Sequence, residues 1–225
     1  LNNNRSVYRS QLLLDQDQAV RAADLASIYG DAGMTDWARQ EAGRSVSYDY
    51  ANYSAHLFLG SSYDQLRDPN WSNLRYETAA NTEFAIANLL APGSAGILNS
   101  MTAQQPYTKL FDQNRVGVVS DTTYLSRGTW MQRGSQFGTY DNFSYSFDAT
   151  YTSDNGQRID DDNELRAMSL TVKDQFTSQD TAFFTVQQVK ASSGAVSQLY
   201  DPADASSFSS YRFNETQQPN FYLGY

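Results

Sequence analysis

The chain has 225 residues and a net charge of −9, from 16 Lys and Arg against 25 Asp and Glu. That balance excludes a sequence-independent nucleic-acid binder, which needs a positive footprint on the phosphates. Cysteine is absent, which excludes disulfides, thiolate metal sites and cysteine nucleophiles together.

Charged residues are only 18% of the chain and aromatic residues 14%, yet the mean hydropathy is −0.60. The polarity therefore comes from Ser, Thr, Asn, Gln and Tyr, a composition suited to a wall with an aromatic-banded side and a neutral polar side. No run approaches the roughly 20 apolar residues of a spanning helix, so any membrane crossing has to be made by strands. The chain opens at Leu1 without a signal-sequence pattern and is expected to be a mature form or a fragment.

In chain order, the first signal is an internal repeat. At an offset of 34, Leu25 meets Leu59, Ser27 meets Ser61, Tyr29 meets Tyr63 and Trp37 meets Trp71, and Ala26 meets Gly60. That period is the one expected of tetratricopeptide repeats, whose large, small and aromatic positions pack helix A against helix B. Ala38 supplies the small helix-B residue. The match covers roughly residues 16–66, with Tyr50 where the family usually has Pro and Ser72 in place of the second small residue. About three repeats are needed for a stable solenoid, so further repeats are expected before Leu1.

Asp68-Pro69-Asn70 then breaks the helical pattern, and residues 83–91 form a short amphipathic stretch stopped by Pro92-Gly93. Residues 67–113 read as a connector. The apolar stretch within it is expected to be a helix docked on a core, the alternative being a pore-occluding plug. After Asn114 the period becomes two: Phe143, Tyr145, Phe147, Ala149 and Tyr151 alternate with Ser144, Ser146, Asp148, Thr150 and Thr152. This run matches the roughly 9 to 11 residues of a tilted strand crossing a bilayer. Further strands are expected near 115–125, 164–174 and 182–190, with another opening near Tyr211. Gly134 and Gly138 read as loop or bulge positions. A short turn at 175–180 against long polar loops at 153–163 and 191–207 has the one-sided loop pattern of outer-membrane barrels.

The connector and first strands, "LRDPNWSNLRYET", "ANLLAPGSAGILNS", "YTKLFDQNRVGVVSDTTYLSRGTW" and "QFGTYDNFSYSFDATYTSDNGQR", resemble bacterial envelope proteins in which periplasmic tetratricopeptide repeats precede an outer-membrane β-barrel. The resemblance implies a location in the outer membrane with the helices in the periplasm, contact with outer-membrane lipid, and a periplasmic protein or polysaccharide partner. Exopolysaccharide exporters share that architecture, but no exporter signature is matched here. About five strands can be placed and a closed single-chain barrel needs at least about eight; a fragment is expected, or copies sharing one barrel.

Chemistry-bearing residues are few. His56 is the one histidine and reads as a packed or surface helical residue. Asp160, Asp162 and Glu164 form a weak Ca²⁺ candidate through hard oxygens, without the EF-hand spacing; solvated loop charge is the plainer reading. Tyr29, Trp37 and Tyr53, with Tyr48 and Tyr50 nearby, are candidate partner-binding aromatics on the repeats, weighed against a place in the inter-helix core.

No catalytic residue and no cofactor are assigned, and the chain is not expected to be an enzyme. The expected fold is α+β: tetratricopeptide-like antiparallel helices over 1–66, a connector over 67–113, and an antiparallel meander over 114–225 forming part of a barrel. The expected function is a channel or an envelope transport or secretion component. The alternative is a non-transporting binding or scaffold protein with a soluble sheet, in which the face of Phe143, Tyr145, Phe147 and Tyr151 would have to be covered by protein.

Overall fold

A computed structural model of the chain describes residues 14–66, 78–99, 114–126, 128–156, 160–194, 201, 203–204 and 212–225. The fold is α+β, with four α-helices among the described residues followed by an antiparallel sheet. Contacts divide it into a helical unit (1–68, 77–91, 98–110) and a sheet unit (69–76, 92–97, 111–225). Within the expected connector, residues 79–90 lie in the helical unit and residues 92–97 in the sheet unit.

The helical unit contains α1 (Leu14–Asp31), α2 (Thr35–Tyr48), α3 (Tyr53–Gln65) and α4 (Ala79–Leu90). Alanines at helical spacing make the α1–α2 seam: Ala19, Ala22, Ala23 and Ala26 on one helix, Ala38 and Ala42 on the other, all buried. Such small side chains let the backbones approach closely, and the buried Ser45 Oγ donates to the Ala19 carbonyl at 2.6 Å. Between the helices Gly33 turns the chain at φ +75°, and Met34 N–H donates back to the Tyr29 carbonyl at 2.8 Å. A left-handed residue ends many helices this way because glycine adopts it without a Cβ clash. Leu25 departs from the expected motif packing: its side chain is exposed.

Asn52 caps α3 by accepting from Ser54 N–H at 3.0 Å, and Thr78 caps α4 by accepting from Asn81 N–H at 3.1 Å. The two helices meet at Gly60, where an added Cβ would stand 3.0 Å from the Phe84 ring. The apolar stretch 83–91 therefore belongs to a helix docked within the helical unit. Buried Asn88 at its end accepts from Leu98 N–H at 2.9 Å and donates to Leu98 O at 2.8 Å.

The sheet unit is a meander of long hairpins: β1 (Arg115–Leu125), β2 (Thr129–Tyr140), β3 (Phe143–Asp154), β4 (Asn163–Gln175) and β5 (Thr181–Gly194), each antiparallel to the next. β6 (Arg212–Thr216) and β7 (Asn220–Gly224) both pair with β5. Lys190 opposes Thr216 and Gln187 opposes Asn220, so two β5 residues face three on the partner. β6 and β7 are one strand broken by a bulge at 217–219, where Pro219 has no N–H to give the ladder. The sheet does not close among the described residues, β1 lying at one edge.

The strands expected at 115–125, 143–152, 164–174, 182–190 and near 211 are present, but β2 was not expected, and Gly134 and Gly138 lie within it rather than in a loop. Glycine hid the strand because it supplies no side chain to the alternation. At Gly138 the missing side chain is replaced by a neighbour: an added Cβ would stand 2.5 Å from the Tyr145 ring, which covers the glycine.

Candidate functional site

The site is the sheet itself, and the register sorts its side chains onto two faces. On the first, Val118, Gln136, Phe147, Leu170, Val186 and Phe221 lie in one cross-strand row, and Val116, Gly138, Tyr145, Val172, Phe184 and Leu223 in the next. This apolar face is uncovered: Phe143 is 40% exposed and Phe147 44%. Its polar members bond to one another. Gln136 Nε2 donates to the Tyr145 hydroxyl at 2.8 Å, Thr122 Oγ1 donates to Gln132 Oε1 at 2.5 Å, and Gln132 Nε2 donates to Ser120 Oγ at 2.9 Å.

The second face is polar and covered. Ser144 and Ser146 of β3 are 0% exposed, although they alternate with Phe143 and Phe147. Ser146 Oγ donates to Asp148 Oδ2 at 2.7 Å and shares a hydrogen bond with Ser135 Oγ at 3.4 Å, while Thr171 and Thr185 hydroxyls meet at 3.0 Å. Residues 92–97 lie against this face. Gly93 N–H donates to Gln175 Oε1 at 2.9 Å, and the fully buried Lys173 donates from Nζ to the Gly96 carbonyl at 3.4 Å. Gly93 passes so near the Asn142 carbonyl that any Cβ would overlap it.

Charge follows the same division. Between the cross-strand row holding Arg166 and Lys190 and the row holding Asp174, no residue of β1 to β5 or β7 on the apolar face is charged, whereas Arg133, Asp148 and Lys173 lie on the polar face at those depths. Aromatic side chains mark both limits of the apolar band: Tyr140 and Phe143 at the acidic limit, Tyr151, Trp130 and Tyr124 at the basic one. The Tyr124 and Trp130 rings meet edge to face at 6.4 Å.

Two of the three carboxylates of the Ca²⁺ candidate pair with cations, and the third, Asp160, stands at a backbone φ of +58°. Asp162 pairs with Arg212, and Glu164 accepts from Arg166 Nε at 2.7 Å. Among the described residues no group of three or more acidic or histidine side chains gathers at metal distance. The candidate aromatics divide. Tyr29 and Trp37 rings lie 6.5 Å apart with Trp37 exposed, while Tyr53 opens α3 half-buried. Tyr48 and Tyr50 are exposed, so neither they nor Trp37 belong to the inter-helix core.

His56 is buried, with Nδ1 2.6 Å from Glu83 Oε2 of α4 and Nε2 2.8 Å from the Tyr50 carbonyl. It is a strut between α3 and α4. The sequence alone did not reveal Lys173 and residues 92–97 as the cover of the polar face; the signal available was that Lys173 shares the parity of Thr171 and Leu165 in β4. No family model, curated protein or solved structure matches the chain.

Proposed function

We propose that the sheet is part of the wall of an outer-membrane-type β-barrel, with the Phe143, Phe147 and Tyr151 face toward lipid and the Ser144, Ser146 and Lys173 face toward the interior. The observation that carries this reading is the inverted polarity of β3, where Ser144 and Ser146 are buried while Phe143 and Phe147, on either side of them, are exposed. In water that arrangement forfeits the hydrophobic gain of burying the aromatic side chains, about 1.5–3 kcal/mol each; in lipid the same rings need no protein cover. The charge-free interval from Arg166 to Asp174 spans eight residues, about 27 Å of strand and about 20 Å at barrel tilt, comparable to the ~25 Å apolar band of such walls. Bonded polar pairs within the face, such as Gln136 with Tyr145, fit a surface that water does not satisfy.

The helical unit serves in this reading as a tetratricopeptide-type docking segment on the periplasmic side, with Trp37 and Tyr29 on its surface for a protein or polysaccharide partner. The whole is a channel or an envelope transport or secretion component, not an enzyme. The test is detergent dependence of the full chain. A barrel wall requires detergent to stay monodisperse and migrates anomalously before heating. Monodispersity in plain buffer would overturn the reading.

One observation favours the second reading, a non-transporting binding or scaffold protein. Residues 92–97 and buried Lys173 fill the polar face at its Gln175 end, where an open conduit would be hydrated. Conductance across a planar bilayer separates the two: stepwise current supports the channel, and no current from protein that is monodisperse without detergent supports the scaffold.

A further inference from the structure

We propose that Arg166 and Lys190 form a binding site for the phosphate of an anionic lipid headgroup at one rim of the apolar face. The inference rests on the barrel reading and adds to it a lipid class and an orientation.

The two residues are cross-strand partners on β4 and β5, and both side chains are exposed. Their row borders the apolar band, since the adjacent row holds Ala149 and Met168 and the one beyond it Phe147 and Leu170. The Arg166 guanidinium lies 5.6 Å from the centre of the Tyr151 ring. That stacking, with the Glu164 hydrogen bond, holds the guanidinium at the rim. Lys190 has no acidic partner among the described residues. Glu164 neutralises one of the two cations and leaves a net positive charge at the depth where headgroup phosphates lie. A guanidinium beside an ammonium supplies several N–H donors to phosphate oxygens, the chemistry by which basic residues recognise that group.

The opposite rim carries Asp174 beside Phe143 on the same face, and Asp180 in the turn beyond. Anionic headgroups are repelled there and attracted at the Arg166 rim. The asymmetry points the end of the sheet formed by Asp154, Asn163 and Ser193 toward the leaflet richer in phosphate-bearing lipid.

Trp130 lies on the same face, next to the Tyr151 row and two strands from Arg166, about 10 Å across the ladder. In full-length protein carrying W37F and W71F it becomes the sole indole. Its fluorescence would be measured in phosphatidylcholine vesicles containing either brominated phosphatidylglycerol or brominated phosphatidylcholine at equal fraction. The site requires stronger quenching by the phosphatidylglycerol, corresponding to roughly fivefold local enrichment. The preference is lost in R166Q/K190Q and retained in R166K/K190R.

Equal quenching by the two lipids, or a preference that survives R166Q/K190Q, overturns the headgroup site and leaves the lipid-facing wall standing. No quenching by either lipid overturns both.

Discussion

The Tyr145 ring lies across Gly138 of the neighbouring strand and accepts a hydrogen bond from Gln136 through its hydroxyl. A Cβ at 138 would occupy the ring's place. Replacing a strand glycine normally gains stability, but Gly138→Ala displaces Tyr145 and breaks that bond, a net cost of about 1 kcal/mol. Chemical denaturation checks the sign. In a double-mutant cycle with Tyr145→Ala, the cost of Gly138→Ala disappears, because no ring remains to displace.

Leu25 and Leu59 hold equivalent places 34 residues apart, yet Leu59 is 7% exposed against Ala26 and Ala42 while Leu25 is 42% exposed. Leu59→Ala therefore costs about 2–5 kcal/mol, and Leu25→Ala stays under about 1 kcal/mol. Ala42→Leu overfills the alanine seam and costs about 1–3 kcal/mol. Thermal unfolding of the three variants orders them. A Leu25→Ala cost equal to that of Leu59→Ala would contradict the packing.

His56→Ala removes the strut between Glu83 and the Tyr50 carbonyl and leaves a mostly buried carboxylate without its hydrogen-bond partner. The expected loss is about 3 kcal/mol, read as a lower midpoint for the helical signal. Glu83→Gln keeps an oxygen or amide at the same reach and loses less.

Asp180 accepts hydrogen bonds from Thr177 Oγ1 and, at 2.6 Å, from the Tyr225 hydroxyl. The Thr177 bond first and the Tyr225 bond second hold its carboxyl below the usual aspartate value, and Asp180 in turn raises the Tyr225 phenol. For Asp180 the folded value is depressed, so its contribution is present above the unfolded aspartate pKa and is lost as pH falls through the folded value. For Tyr225 the folded value is raised, so its contribution is present below the unfolded tyrosine pKa and is lost as pH rises through the folded one. Carboxyl NMR titration should show the Asp180 midpoint moving up in Tyr225→Phe and further up in Thr177→Ala. An unchanged midpoint in both would remove the turn contact.

Much of the sheet was legible because alternation is a local property. Phe143 through Thr152 declare two faces whatever surrounds them, and the pattern alone places β1, β3, β4 and β5 near their observed ranges. β2 escaped because Gly134, Gly138 and the glutamines dilute its period, and its strand character comes from neighbours on both sides. The 34-residue repeat located α1 to α3, but the α4 pairing could not be read from it: α4 begins at Ala79, later than the repeat period would place a second helix B, and docks through Gly60 and Phe84.

The amino-acid sequence by itself determined that one side of each strand is aromatic and the other hydroxylated, because side chains on a strand alternate at each residue. Only the tertiary structure decided which side is covered. Lys173 is buried where residues 92–97 lie against that face and the Gly96 carbonyl accepts from it, a contact 77 residues apart in sequence. Periodicity is written in adjacent residues, whereas burial depends on which distant segment reaches a face, and no local pattern carries that distance.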